Sequence, residues 1–183
     1  MKKKIYLLLL LLIPTLFLLT ACNKQKTTGT NKTIIELHDK KLNYKTTFTV
    51  ENGEKYSDVV IDETGGASAV LTFRNETLDV EFEMYYNKLL KQTYDSTKKG
   101  RSSQKYYKEY KFGECEAYAY GNYDDKIYLN IILDKEDDGR LITLFVSIER
   151  IDTDKNVIVS SLLKEKDLQN LFNSIKFEKL SSK

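Results

Sequence analysis

The chain has 183 residues, with 29 Lys and Arg against 27 Asp and Glu and a formal charge of +2. That balance leaves no electrostatic footprint for nucleic acid, and a single His with two Cys excludes a multi-histidine metal centre and a disulfide framework. Thirteen Tyr, eight Phe and many β-branched residues exclude intrinsic disorder for the body of the chain.

The N-terminus runs Lys2, Lys3, Lys4, then an apolar stretch from Ile5 to Leu19, then Thr20-Ala21-Cys22. A charged start, an apolar run and a small residue before the cut make an export signal. A membrane helix needs about 20 apolar residues. This run is shorter, is interrupted by Pro14 and gives way to Asn23, Lys24 and Gln25. With Cys directly after the small residue, Leu19-Thr20-Ala21-Cys22 resembles the lipobox of bacterial lipoproteins. The resemblance implies cleavage after Ala21, a diacylglycerol thioether on Cys22, and a chain held outside the cytoplasm on the lipid bilayer of the cell membrane. Two acyl chains suffice for such anchoring without a span. Cleavage would remove three lysines, leaving 26 basic against 27 acidic residues and a formal charge of −1. Residues 1–21 are thus expected as signal peptide, 22–33 as a polar tether, 34–178 as one domain and 179–183 as a polar tail. With Cys22 acylated, Cys115 has no disulfide partner, and its neighbours Glu114 and Glu116 disfavour a thiolate.

Residues 44–50 alternate, with Tyr44, Thr46, Phe48 and Val50 on one side, and Asn52-Gly53 follows as a hairpin turn pair. Residues 59–62 form a short β-branched run ended by Gly65-Gly66, and 67–74 another strand ended at Asn75-Glu76. Residues 77–85 alternate most cleanly, with Leu78, Val80, Phe82 and Met84 opposite Asp79, Glu81 and Glu83. That pattern means one dry face and one wet face. In 87–98, Leu89, Leu90 and Tyr94 fit helical spacing, and Gly100 ends the segment. Strands follow at 106–112, stopped by Gly113, at 114–120, at 126–134 and at 140–151, with an acidic turn at 135–139. Leu168, Leu171, Phe172 and Ile175 are spaced as one face of an amphipathic helix, with Asp167 near its start. Consecutive strands with short turns and packed helices predict an α+β domain built on an antiparallel sheet.

Two segments carry a family resemblance. Phe112-Gly113-Glu114-Cys115-Glu116-Ala117-Tyr118-Ala119-Tyr120 is an aromatic strand, and a final helix runs into Asn173-Ser174-Ile175-Lys176-Phe177. Their order is similar to the PsbP-like α/β/α sandwich domains of many small bacterial lipoproteins, over residues 34–178. The resemblance implies a sheet with flanking helices and a non-catalytic accessory or binding role. No metal or partner residue is carried over from it.

The chemistry-bearing residues are few. His38, between Leu37 and Asp39, reads as a surface histidine, and the sequence has no G-x-S-x-G elbow, P-loop or H-E-x-x-H helix. Asp134, Glu136, Asp137, Asp138 and Gly139 offer oxygens for calcium without the order of a calcium loop, so a charged hairpin turn is expected. Asp79, Glu81 and Glu83 could pair for glycoside chemistry, but one strand reads better as a solvated face, and Trp is absent. Tyr106, Tyr107, Tyr110, Tyr118, Tyr120 and Tyr123 crowd one third of the chain. Tyrosine offers broad contact area with a polar tip, which suits both a partner site and the cover of a sheet. These six are the expected partner-binding residues. The resulting expectation is a membrane-anchored, non-enzymatic module, without cofactor or metal, for a protein partner in the cell envelope. The alternative is a small-molecule pocket between sheet and helix.

Overall fold

The computed structural model describes residues 32–51, 55–62, 69–152 and 158–180. The signal peptide, Cys22, most of the tether, Asn52-Gly53, Gly65-Gly66 and residues 181–183 lie outside them. The strands are β1 (Lys32–Asp39), β2 (Tyr44–Glu51), β3 (Tyr56–Asp62), β4 (Val70–Asn75), β5 (Val80–Leu90), β6 (Tyr106–Phe112), β7 (Cys115–Gly121), β8 (Lys126–Lys135), β9 (Arg140–Arg150) and β10 (Lys176–Lys179). The helices are α1 (Lys91–Arg101), α2 (Val159–Leu162) and α3 (Lys166–Asn173).

β1 and β2 each bury alternate residues: Ile35, Leu37 and Asp39 from one, Tyr44, Thr46, Phe48 and Val50 from the other. They pair antiparallel over their full length, so Lys32 and Thr33 of the expected tether are strand. The Asp39 carboxylate fastens their turn, accepting from the Leu42 N–H at 2.8 Å and the Ala69 N–H at 3.0 Å. β10 arrives from the far end of the chain and completes a three-stranded sheet, β1-β2-β10. The Leu180 N–H then closes on the Asn43 carbonyl at 2.7 Å.

The second sheet has seven strands in the order β3-β4-β5-β9-β8-β7-β6. β3, β4 and β5 form a meander, and β6 to β9 form another that returns to pair β9 with β5 along eleven residues. α1 joins the two meanders. Eleven helical residues reach about 16 Å, close to the width of three or four strand spacings, so α1 carries the chain from the sheet's centre towards its far edge.

The core lies between the sheets. From the seven-stranded sheet it takes Leu71, Phe73, Val80, Phe82, Met84, Leu129, Ile131, Leu144, Val146 and Ile148; from the smaller one it takes Ile35, Leu37, Tyr44, Phe48 and Val50. Leu168, Leu171 and Phe172 of α3 seal one flank, and Val159 and Leu162 of α2 another. The expected α+β class, a PsbP-like sheet with flanking helices, is therefore corrected. Of the described residues 59% are strand and 18% helical, and the layer over the inner face is a second sheet, which makes an all-β sandwich. The cause is physical: β1, β2 and β10 cover the inner face, a role the α+β reading gave to helices.

Candidate functional site

The face of the seven-stranded sheet turned away from the small sheet carries the candidate site. Antiparallel register sets side chains on this outer face in rows across the strands. One row runs Arg74, Glu81, Glu149, Lys126. The next runs Val60, Thr72, Glu83, Ser147, Tyr128, Tyr120, Tyr107. A third runs Asp62, Val70, Tyr85, Phe145, Asn130, Tyr118, Glu109.

Aromatic rings link these rows into a ladder. Tyr85 lies 4.8 Å from Phe145, Phe145 5.7 Å from Tyr128, Tyr128 5.3 Å from Tyr120 and Tyr120 5.6 Å from Tyr118. Tyr118 meets Tyr94 of α1 at 5.4 Å and Tyr107 of β6 at 6.2 Å. Such separations are those of favourable offset and edge contacts. The Arg101 guanidinium, at the end of α1, lies 4.9 Å from the Tyr120 ring centre, and the Lys126 ammonium 5.6 Å from that of Tyr128. Burial pushes the Tyr118 hydroxyl up to about 12, with Tyr120 adding to the shift, and burial likewise raises Tyr94 and Tyr120.

The two ends of the ladder differ. At the α1 end Tyr94, Tyr118 and Tyr120 are buried. At the other end Tyr85, Phe145 and Tyr128 are half-exposed, and the face opens into a groove of about 640 Å³. Val60 and Asp62 of β3, Val70 and Thr72 of β4, and Glu83, Tyr85 and Asn87 of β5 line it. Burial raises the Tyr85 hydroxyl above its ordinary range, and the Glu83 charge adds to that. Val59, Val60 and Ile61 are exposed along β3, which ends the sheet order. A register shift between Ser57 and Val60, with Asp58 at φ 51°, irregularises this edge. Such bulges discourage unspecific strand pairing.

The structure divides the six predicted tyrosines. Tyr107, Tyr118 and Tyr120 share the outer face, but Tyr118 and Tyr120 are only 1% and 6% exposed. Tyr106 and Tyr110 lie on the opposite face and pack against the main core. Tyr123 stands apart in the β7–β8 turn, 73% exposed. Cys22 lies outside the described residues. The residues around the groove were not singled out from the sequence as a site. Alternation in β5 already opposes Tyr85 to Met84, but only register brings Tyr85, Phe145 and Tyr128 together from three strands.

The remaining chemistry-bearing residues have structural surroundings. Glu136, in the acidic turn, accepts from the Tyr44 hydroxyl at 2.6 Å and pairs with Lys88, with Lys179 at 3.6 Å. His38 sits in β1 opposite Lys45. Burial, then the Glu114 charge, raises the Cys115 thiol. Among the described residues no group of three His, Cys, Asp or Glu could hold a metal ion, and no helix is long and apolar enough to cross a membrane. The chain matches no family model, no curated protein and no solved structure.

Proposed function

We propose that the protein is a non-catalytic binding module, anchored outside the cytoplasm through acylated Cys22, whose ligand sits in the groove at the open end of the aromatic ladder. The single observation behind this reading is the groove itself. Its volume of about 640 Å³ falls within the roughly 300–1,000 Å³ of small-ligand sites. Its floor is ring and aliphatic surface, and Asp62, Thr72, Glu83 and Asn87 give it a few polar groups. A rigid sheet holds these side chains, so little ordering is lost on binding. The groove lies on the open sheet face, not between sheet and helix.

The test is a ligand screen on the full-length protein in detergent micelles, read by thermal shift and tyrosine fluorescence. A ligand should raise the melting temperature of wild type, and Tyr85→Ala should weaken its binding at least about tenfold. Hits that bind Tyr85→Ala and wild type alike would place the ligand elsewhere. Mass spectrometry of the protein from its own membrane tests the anchor. It should find a fatty-acid-modified Cys22 at the N-terminus, and Cys22→Ala should no longer partition with membranes.

A second reading rests on β3. Its exposed Val59, Val60 and Ile61 form an apolar edge beside the groove, and an envelope protein could add an extended strand there. A photo-crosslinker at Val60 should then trap one partner, and adding Ile61→Lys to that protein should abolish the crosslink.

A further inference from the structure

We propose that the groove recognises an organic cation, a primary ammonium or guanidinium group on an aliphatic stem, held between the Glu83 carboxylate and the ring of Tyr85. This deepens the preceding reading and rests on it. The argument begins with charge along the rows of the outer face. In the first row the ions are matched: Arg74 binds Glu81 at 3.1 Å and Lys126 binds Glu149 at 2.6 Å. Arg74 also reaches Asp58 at 3.3 Å. In the next row Glu83 stands between Thr72 and Ser147, two neutral hydroxyls. No described cation forms an ion pair with Glu83, and the Lys126 charge that acts across to it is already held by Glu149. Among the described residues, those that line the groove include Asp62 and Glu83 and no Lys or Arg; Asp62 has interactions of its own, so Glu83 is the carboxylate on which recognition rests.

Tyr85 supplies the second component. It lies two residues after Glu83 on the same strand face, and the faces of aromatic rings attract cations. A carboxylate beside a ring face is the pair of groups that recognises an alkylammonium or a guanidinium. Val60 and Val70 line the same groove and offer aliphatic walls for a stem. An anion would meet the Glu83 carboxylate there, and a neutral apolar ligand would leave Glu83 desolvated and unpaired, a costly arrangement.

The test titrates full-length protein in a zwitterionic detergent with four probes: cadaverine, Nα-acetyl-lysinamide, 1-hexanol and pentanoate. Tyrosine fluorescence and NMR shifts of Val70, Thr72 and Tyr85 report binding. The two ammonium probes should bind saturably and more weakly as salt rises, whereas hexanol and pentanoate should not bind. If cadaverine binds far better than the lysinamide, the source is a free diamine; the reverse preference assigns a peptide side chain. Glu83→Gln should weaken binding about tenfold or more and leave the melting temperature unchanged, since Glu83 is exposed. Equal binding of hexanol and cadaverine, undiminished binding by Glu83→Gln, or no saturable binding of either amine at millimolar concentration would overturn the proposal. A neutral or anionic ligand that needs Tyr85 would sink the cation and keep the groove. Ligands indifferent to both Tyr85 and Glu83 would sink both readings.

Discussion

Glu136 shows how one residue can belong to a different category from its neighbours. From the sequence it is one of several acids in a hairpin turn, with solubility as its expected role. In the structure it points inward, where Lys88 and the Tyr44 hydroxyl hold it, with Lys179 nearby. It thereby joins β2 and β10 of the small sheet to β5 and the β8–β9 turn of the large one. Hydrogen bonds from Lys88, then Tyr44, lower its carboxyl to about 2. In the unfolded chain the carboxyl would titrate near 4.3. A depressed folded value means that the stabilisation is fully present above the unfolded value and is lost as pH falls towards about 2. Glu136→Gln should therefore lower the melting temperature at neutral pH, and the gap between variant and wild type should close through that acid window. Glu109 and Asp124 are also lowered, so the quantity that decides is the difference between the two proteins. A gap that persists unchanged to pH 2 would show that the Glu136 charge contributes nothing. Tyr118 and Tyr120 teach a related point: both are buried, so replacing them reports on folding before it reports on binding. Tyr85 and Tyr128 are the better probes of the outer face.

At the scale of elements, local pattern located most strands and misjudged the places where pairing partners decide. Alternation in β5 was legible up to Tyr85, and then Leu89 and Leu90 fit a helix. The strand in fact continues to Leu90, because β9 extends beside it and offers Leu141 and Arg140 as partners. The helix then starts at Lys91 with no side-chain cap on Leu90, which is why no start signal stood in the sequence. β10 is four residues long and α2 is four residues long, too short for any period to show. Gly121, the last residue of β7, has a steric role that local pattern does not show. A Cβ on Gly121 would come within 2.9 Å of the Lys126 carbonyl oxygen, a backbone atom. Gly121→Ala should therefore force β7 and β8 apart and destabilise the protein by roughly 1–3 kcal/mol. Urea unfolding measures this. Gly100→Ala is the control, since open space surrounds Gly100 and it lies within α1; it should be neutral or slightly stabilising. Equal stability of the Gly121 variant and wild type would mean that the turn relaxes freely.

For the whole molecule, the class of fold hinged on segments that carry little local signal. With β1 and β10 unrecognised, one sheet remained, and a single sheet with a dry face calls for helices to cover it. The structure covers that face with strands from both ends of the described chain. The candidate groove was illegible for another reason: it forms when β3, β4 and β5, neighbours in sequence, pair in a register that sets Val60, Thr72 and Glu83 side by side. This architecture makes a demand on cooperativity. Tyr86, buried in β5 of the large sheet, directs its hydroxyl to Thr46 Oγ1 at 2.7 Å and to the Leu37 carbonyl at 3.1 Å, both in the small sheet. Its ring meets Tyr44 edge-on at 6.0 Å and Phe177 of β10 at 6.5 Å. One side chain thus touches all three strands of the opposing layer. If the layers share one core, they unfold together, and backbone circular dichroism and tyrosine fluorescence should trace a single coincident transition. Tyr86→Phe keeps the ring and strips the hydroxyl, leaving the Leu37 carbonyl without this donor and the Thr46 hydroxyl without this partner. Such a loss costs about 1–3 kcal/mol, and it should move both probes by the same amount. Separate transitions, or a Tyr86→Phe shift seen by one probe alone, would mean that the three-stranded sheet melts by itself and that the sandwich is two loosely joined layers.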